Sequence, residues 1–278
     1  MLKTALIACA LLVATPTLAT TPSPAEIEKA ERAFAADGLA LGVRDSFLKH
    51  MAADAIVFRP GPVNAKALYE KRPSSKKPQL EWWPQKVVIA RSGDLGLSVG
   101  PWAIDGKRGG YYATIWRKNA DGQWKWIYDG GSDADASKAP PPETPAGVGL
   151  VATRGEGSPA KALEAVRTIE ARLAAKAIHD APAAYRNLVA KDAWMLGPND
   201  TDGMVPADIN ARLGVRPHRI AMVMTGGGAS SAGDFVWTYG EAGWVGHSDT
   251  PIDTHYMHVW QKRPEGWRLI FETLNTDT

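Results

Sequence analysis

Cysteine is all but absent from this 278-residue chain, where Cys9 stands alone near the amino terminus. A lone cysteine excludes an internal disulfide and a thiolate metal cage. Nowhere do apolar residues run unbroken for the roughly 18 positions that a membrane-spanning helix needs, so no membrane anchor of that kind is expected. A surplus of charge is missing too. Lys and Arg number 32 against 30 Asp and Glu, a formal net charge of +2, which leaves no electrostatic footprint for nucleic acid. No phosphate loop is present either: Gly226-Gly227-Gly228 is followed by a strand pattern and by no Lys-Ser or Lys-Thr pair, and it reads as a flexible loop. No cofactor is expected.

Tryptophan is what the chain has in excess, with 11 residues in a composition that is 45% hydrophobic and 22% charged. That composition excludes disorder and fits two ordinary cores, and the aromatic surplus fits a large core or a concave apolar pocket. Residues 1–19 begin Met1-Leu2-Lys3, stay apolar over 5–14 and close on Thr17-Leu18-Ala19. This is the layout of a secretory signal, so a soluble periplasmic or secreted protein starting near Thr20 is expected. Leu6-Ile7-Ala8-Cys9 also spells a lipoprotein-type box, but too few residues precede Cys9 for a working apolar region.

The chain repeats itself. Ser23-Pro24-Ala25 returns as Ser158-Pro159-Ala160, an offset of 135, each followed by apolar residues at helical spacing: Ile27, Ala30, Phe34 and then Leu163, Val166, Ile169, Leu173. Each Ser is an expected N-cap with Pro at the first helical position. Asp54-Ala55-Ile56-Val57-Phe58 is answered by Asp192-Ala193-Trp194-Met195-Leu196 at offset 138, and Gly93-Asp94-Leu95 by Gly233-Asp234-Phe235 at 140. Ile115-Trp116-Arg117-Lys118 is answered by Val259-Trp260-Gln261-Lys262 at 144. Small drifts between matched blocks are what loop insertions leave behind. The expected domains are 24–131 and 158–278, joined by a Pro/Gly/Ala-rich linker over 132–157 that contains Pro140-Pro141-Pro142. In each copy helical spacing over 43–51 and 183–189 gives way to period-two runs such as Leu95, Leu97, Val99 and Phe235, Trp237, Tyr239. The fold class is therefore α+β, with helices on one face of an antiparallel sheet in each domain.

The block Ile115-Trp116-Arg117-Lys118, then Asp121-Gly122, then Trp124-Lys125-Trp126-Ile127-Tyr128-Asp129 resembles the closing hairpin of the SnoaL-like and ketosteroid-isomerase-like branch of the nuclear transport factor 2-like superfamily. Asp54-Ala55-Ile56-Val57-Phe58 and Gly93-Asp94-Leu95 with Gly100-Pro101-Trp102 resemble the group catalogued as domain of unknown function 4440. The resemblance implies two tandem cone-shaped domains, each a curved sheet wrapped on N-terminal helices around a pocket. Aromatics on both strand faces call for a cover on the outer faces, and an intrachain pseudo-dimer provides it, with a homodimer or simply a Trp-rich surface as the alternatives.

The resemblance implies that Tyr112, Thr114, Trp116 and Asp129 face the first pocket, and that Tyr256, His258, Trp260 and Glu272 take the matching places in the second. If Pro264-Glu265-Gly266 is a three-residue loop, His258 opposes Glu272 across two strands, a pair suited to general-base work or to closing a core. The ketosteroid isomerase pattern itself is not matched, since neither first helix carries a Tyr. A weaker constellation is His247, Asp249, Asp253 and His255: a turn at Thr250-Pro251-Ile252 would oppose the two Asp and the two His, a set suited to zinc or to an ordinary solvated turn. Lys71-Arg72 and Lys76-Lys77 read as a solvated basic loop, with an anion site as the alternative. Three functions stay open: binding of a small apolar or aromatic molecule; an isomerase, cyclase or hydrolase using His258 and Glu272; and an accessory module that holds a partner protein.

Overall fold

The computed structural model describes residues 22–197, 209–246 and 249–275; the expected signal over 1–19 and His247 lie outside them. The first half runs α1 (Ala25–Leu41), α2 (Val43–His50), β1 (Met51–Phe58), β2 (Pro62–Asn64), α3 (Ala65–Glu70), β3 (Leu80–Trp82), β4 (Lys86–Ile89), β5 (Leu95–Ile104), β6 (Lys107–Lys118) and β7 (Trp124–Asp133). A two-residue β8 (Gly147–Val148) follows, and then the second half: α4 (Pro159–Arg186), β9 (Val189–Leu196), α5 (Ile209–Gly214), β10 (Ala221–Ala229), β11 (Phe235–Val245), β12 (Pro251–Arg263) and β13 (Gly266–Asn275).

The helices form where apolar residues recur on one face. α1 buries Ile27, Glu31, Phe34 and Gly38, and α4 buries Val166, Glu170, Leu173 and Ala177. Gly42, at φ 87°, turns the chain from α1 into α2. In α4 the same break is made by Asp180, which leaves helical geometry and accepts the Ala183 N–H at 3.0 Å, with Pro182 in the restarted turn. Ser158 caps α4 by accepting the Lys161 N–H at 3.2 Å. Ser23 does not cap α1: Pro24 holds that place, and only the Ser23 carbonyl is used, by the Glu26 N–H.

Both sheets have one strand order. The first runs β2-β1-β7-β6-β5-β4-β8 with β3 also on β5, and the second runs β10-β11-β12-β13-β9. Hence β1, β7, β6, β5, β4 have the neighbours of β9, β13, β12, β11, β10. The expected antiparallel sheets are in fact mixed. The first strand of each half lies parallel to the last, β1 on β7 and β9 on β13, because helices separate it from the antiparallel meander. Even the bulges repeat, between Ile115 and Trp116 in β6 and between Val259 and Trp260 in β12. Gly226-Gly227-Gly228 is strand rather than loop, lying in β10. The Tyr239 ring would sit 2.3 Å from a Cβ at Gly226, so glycine is needed there for close approach.

The outer sheet faces meet. Leu97, Val99, Ala113 and Ile115 of the first half share one buried cluster with Trp237, Met257, Val259 and Phe271 of the second. Phe58 reaches Tyr239 (6.1 Å between ring centres) and Tyr128 reaches Trp237 (6.1 Å). The segment between the halves is docked, not free: Arg32 donates to the Pro142 and Thr144 carbonyls at 2.8 and 2.7 Å, and β8 pairs with β4. A shared core predicts one unfolding transition. Ile115→Val, a methylene lost at that seam, is expected to lower stability by about 0.5–1.5 kcal/mol and to leave a single urea transition. Two separate transitions would contradict the shared core.

Candidate functional site

Each half sets a carboxylate on the apolar stripe of its first helix, Glu31 on α1 (0% exposed) and Glu170 on α4 (3%). Neither was expected; the legible signal was a Glu at helical spacing between Ile27 and Phe34, and again between Val166 and Leu173. A buried carboxylate needs donors. Glu31 takes the indole N–H groups of Trp82 (2.7 Å) and Trp116 (2.8 Å). Both donors are neutral, so burial dominates and the Glu31 carboxyl is pushed up to about 7.

Above Glu31 in the first half, Tyr112 shares a hydrogen bond with Ser98 (3.1 Å), and Thr114 donates to Asp129 at 2.8 Å across the β6–β7 ladder. Asp129 is only partly buried and opens onto a cavity of about 320 Å³, walled by Phe47, Val57, Tyr69, Trp82 and Trp102, with Arg59 and Arg72 at its rim. Burial raises Asp129 to about 7, against the opposing pull of Thr114 and Arg59. Of the four residues expected in this pocket, Tyr112 and Asp129 line the cavity, whereas Thr114 and Trp116 are 0% exposed and support Asp129 and Glu31 from below.

The second half fills the same positions differently. His258 opposes Glu272, though by another route than expected. Pro264 and Glu265 form a two-residue turn with Arg263 opposite Gly266, and the Val259/Trp260 bulge restores the register. His258 donates from Nδ1 to Glu170 (2.9 Å) and from Nε2 to Glu272 (2.6 Å). Arg216 pairs with the other oxygen of Glu272, and the Tyr185 hydroxyl lies 3.5 Å from His258 Nε2. Thr238 (2.6 Å), Trp260 (2.8 Å) and the Tyr256 hydroxyl (3.4 Å) also donate to Glu170. Burial alone would lower the His258 pKa, but Glu170 and then Glu272 raise it to about 9. Burial would raise Glu272; Arg216 and His258 overrule it and hold it at about 2. The set is two anions and two cations, with His258 and Glu272 both 0% exposed. Of the two other residues expected to contact a ligand here, Trp260 (0%) is a core residue of this network, whereas Tyr256 (1%) borders, with Glu170, a cavity of about 300 Å³ between α4 and β10. Tyr185 and Arg216 were not foreseen. They stand where Phe47 and Arg72 stand in the first half, Arg216 two residues after α5 as Arg72 is two residues after α3.

The metal arrangement does not form as expected. The β11–β12 ladder sets Asp253 opposite Gly243 and His255 opposite Glu241, while Asp249 lies outside the strands with φ 55°. His255 packs against Phe58, ring centres 5.1 Å apart, in the seam between the halves. Among the described residues, no group of three or more His, Cys, Asp or Glu is arranged to hold a metal.

No family model matches the chain, and no curated protein matches it. Solved structures do, over less than half of it. A protein of unknown function from the DUF3225 family of Pectobacterium atrosepticum is 19% identical over 43% of this chain and 93% of its own, with a TM-score of 0.35. A nuclear transport factor 2-like protein of unknown function from Pseudomonas putida is 12% identical over 43% and 89%, at 0.35. A nuclear transport factor 2-like superfamily protein from Salmonella enterica serovar Typhimurium is 11% identical over 43% and 93%, at 0.34.

Proposed function

We propose that the first half binds a small apolar or aromatic molecule in its cavity and that the matching place in the second half, filled by the His258–Glu272 network, is structural. One contrast carries this reading. Asp129 faces the open cavity with Thr114 as its single side-chain donor among the described residues, whereas its counterpart Glu272 is consumed by His258 and Arg216. Apolar walls with a few convergent polar groups are the general character of ligand pockets.

A second reading makes the same pocket catalytic. A carboxyl with a pKa near 7 can take a proton from a bound molecule at neutral pH, which fits Asp129 to general-base work. His258 is poorly placed for that role, because both ring nitrogens already donate. The accessory-module reading has less support, since the outer sheet faces cover each other. Export remains part of the proposal, on the strength of the pattern over 1–19.

Trp102 is a partly buried wall residue, so Trp102→Ala is expected to weaken binding of 2-naphthol by about tenfold, the loss of one aromatic contact. His258→Gln should change it by less than about twofold. A fluorescence titration checks both, and the reverse pattern would place the ligand in the second half.

A further inference from the structure

Among the described residues, two arginines at the mouth of the first cavity have no carboxylate within ion-pair distance. Among the described residues neither Arg59 nor Arg72 forms an ion pair: Arg59 donates to the neighbouring Phe58 carbonyl at 2.9 Å, and Arg72 lies over the Tyr69 ring at 4.9 Å. They come from different elements, one after β1 and one after α3, yet both line the same cavity and both favour the ionised form of Tyr69 electrostatically. The second half shows what this position does when a carboxylate is in reach. There Arg216, the counterpart of Arg72, closes on Glu272. In the first half the matching acid is the shorter Asp129, and Arg72 stays at the exposed rim.

We propose that the ligand itself supplies the missing acid: an aryl or arylalkyl carboxylate whose acid group sits between Arg59 and Arg72 and whose flat body lies against Trp82, Trp102 and Phe47. This rests on the pocket reading given above. Guanidinium and carboxylate match as a two-bond fork, stronger than neutral hydrogen bonds, so an acid is selected over its amide. The rim carries one acid, Asp133, against the two arginines. The groups facing Asp129 are Glu31 from α1, Arg59, Tyr69 and Arg72 at the rim, Tyr112 from β6 and Asp133 on β7. A bound anion favours the protonated form of Asp129, so acid binding takes up a proton and weakens as pH rises through about 7.

Calorimetric titration of the full chain with 2-naphthoate and 4-phenylbutyrate, each against its amide, tests this. The acids are expected to bind about tenfold more tightly than the amides. Arg59→Gln or Arg72→Gln should erase most of that preference and leave amide affinity within about twofold, while Arg72→Lys keeps part of it. Both side chains are exposed, so these variants should fold. Amides that match the acids in the wild-type chain would overturn the acid preference alone and leave the pocket standing. If neither acids nor amides bind, the pocket reading falls and the acid preference falls with it.

Discussion

Replacing His258 by alanine is expected to destabilise the chain by about 3–5 kcal/mol, the range for breaking a buried ion pair from one side. The imidazolium sits between Glu170 and Glu272 and is fully enclosed. Without it, Glu170 loses its only charged partner among the described residues, and Arg216 is left to answer for both carboxylates. The first half holds Thr at this position, and there Asp129 and Glu31 relieve the strain by protonating near neutral pH. His258→Thr combined with Glu272→Asp should therefore recover part of the loss, most clearly below about pH 6 where the carboxyls can take up protons. Urea denaturation followed by tryptophan fluorescence measures both variants. A His258→Ala chain as stable as the wild type would mean that the network carries no structural load.

The second large effect is on pH. Glu31 and Asp129 hold their protons to about 7, against ordinary values of 4.5 and 3.8, and His258 holds its proton to about 9 against 6.5. In all three the folded state binds the proton more tightly than the unfolded chain. The stability they contribute is fully present below the unfolded values and is lost as pH rises through the folded ones. Glu272 runs the other way: held at about 2 against 4.5, it contributes above 4.5 and loses that contribution as pH falls towards 2. Stability should thus peak near pH 4, fall until about pH 7 as the first-half acids ionise, and go on falling towards pH 9 as His258 discharges. Each step is on the order of a few kcal/mol, at about 1.4 kcal/mol per pKa unit. Asp129→Asn with Glu31→Gln should flatten the first step and spare the second. Urea midpoints at pH 5, 7 and 9 give the profile; a flat or rising course over that range would contradict the protonation states assigned to these groups.

The repeat was the most legible feature of the sequence, because strands and helices keep their spacing while loops drift. Matched blocks such as Gly93-Asp94-Leu95 and Gly233-Asp234-Phe235 start matching strands, β5 and β11. Strand direction was less legible. Nothing in the alternation of Ala193, Met195 and their neighbours says that β9 enters beside β13 in parallel, since pairing partners are set by the path of the chain between them. The His258–Glu272 opposition was reached through a wrong turn length, offset by a bulge that no local pattern announces. Of the site, the strand residues followed from the resemblance, and the His258–Glu272 opposition from the hairpin register. Glu31, Glu170 and Arg216 could not be placed, because they approach from helices and loops whose position over the sheet depends on packing. Sequence alone placed the candidate chemistry in the second half, where a His is present; burial and partners favour the first, where Asp129 opens onto the cavity and is bonded by Thr114 rather than by a charged group.

Hydrogen–deuterium exchange on the full chain, with and without saturating 2-naphthoate, tests most directly the claim that the first-half cavity is open to a ligand and that the matching place in the second half is filled by its own network. Slowed exchange is predicted in α3 and at Arg72, in β3, and at the Asp129 end of β7, with β12 and the Arg216 region unchanged. Slowing centred on Tyr185, Arg216 and the His258–Glu272 strands, with the first half unaffected, would contradict it.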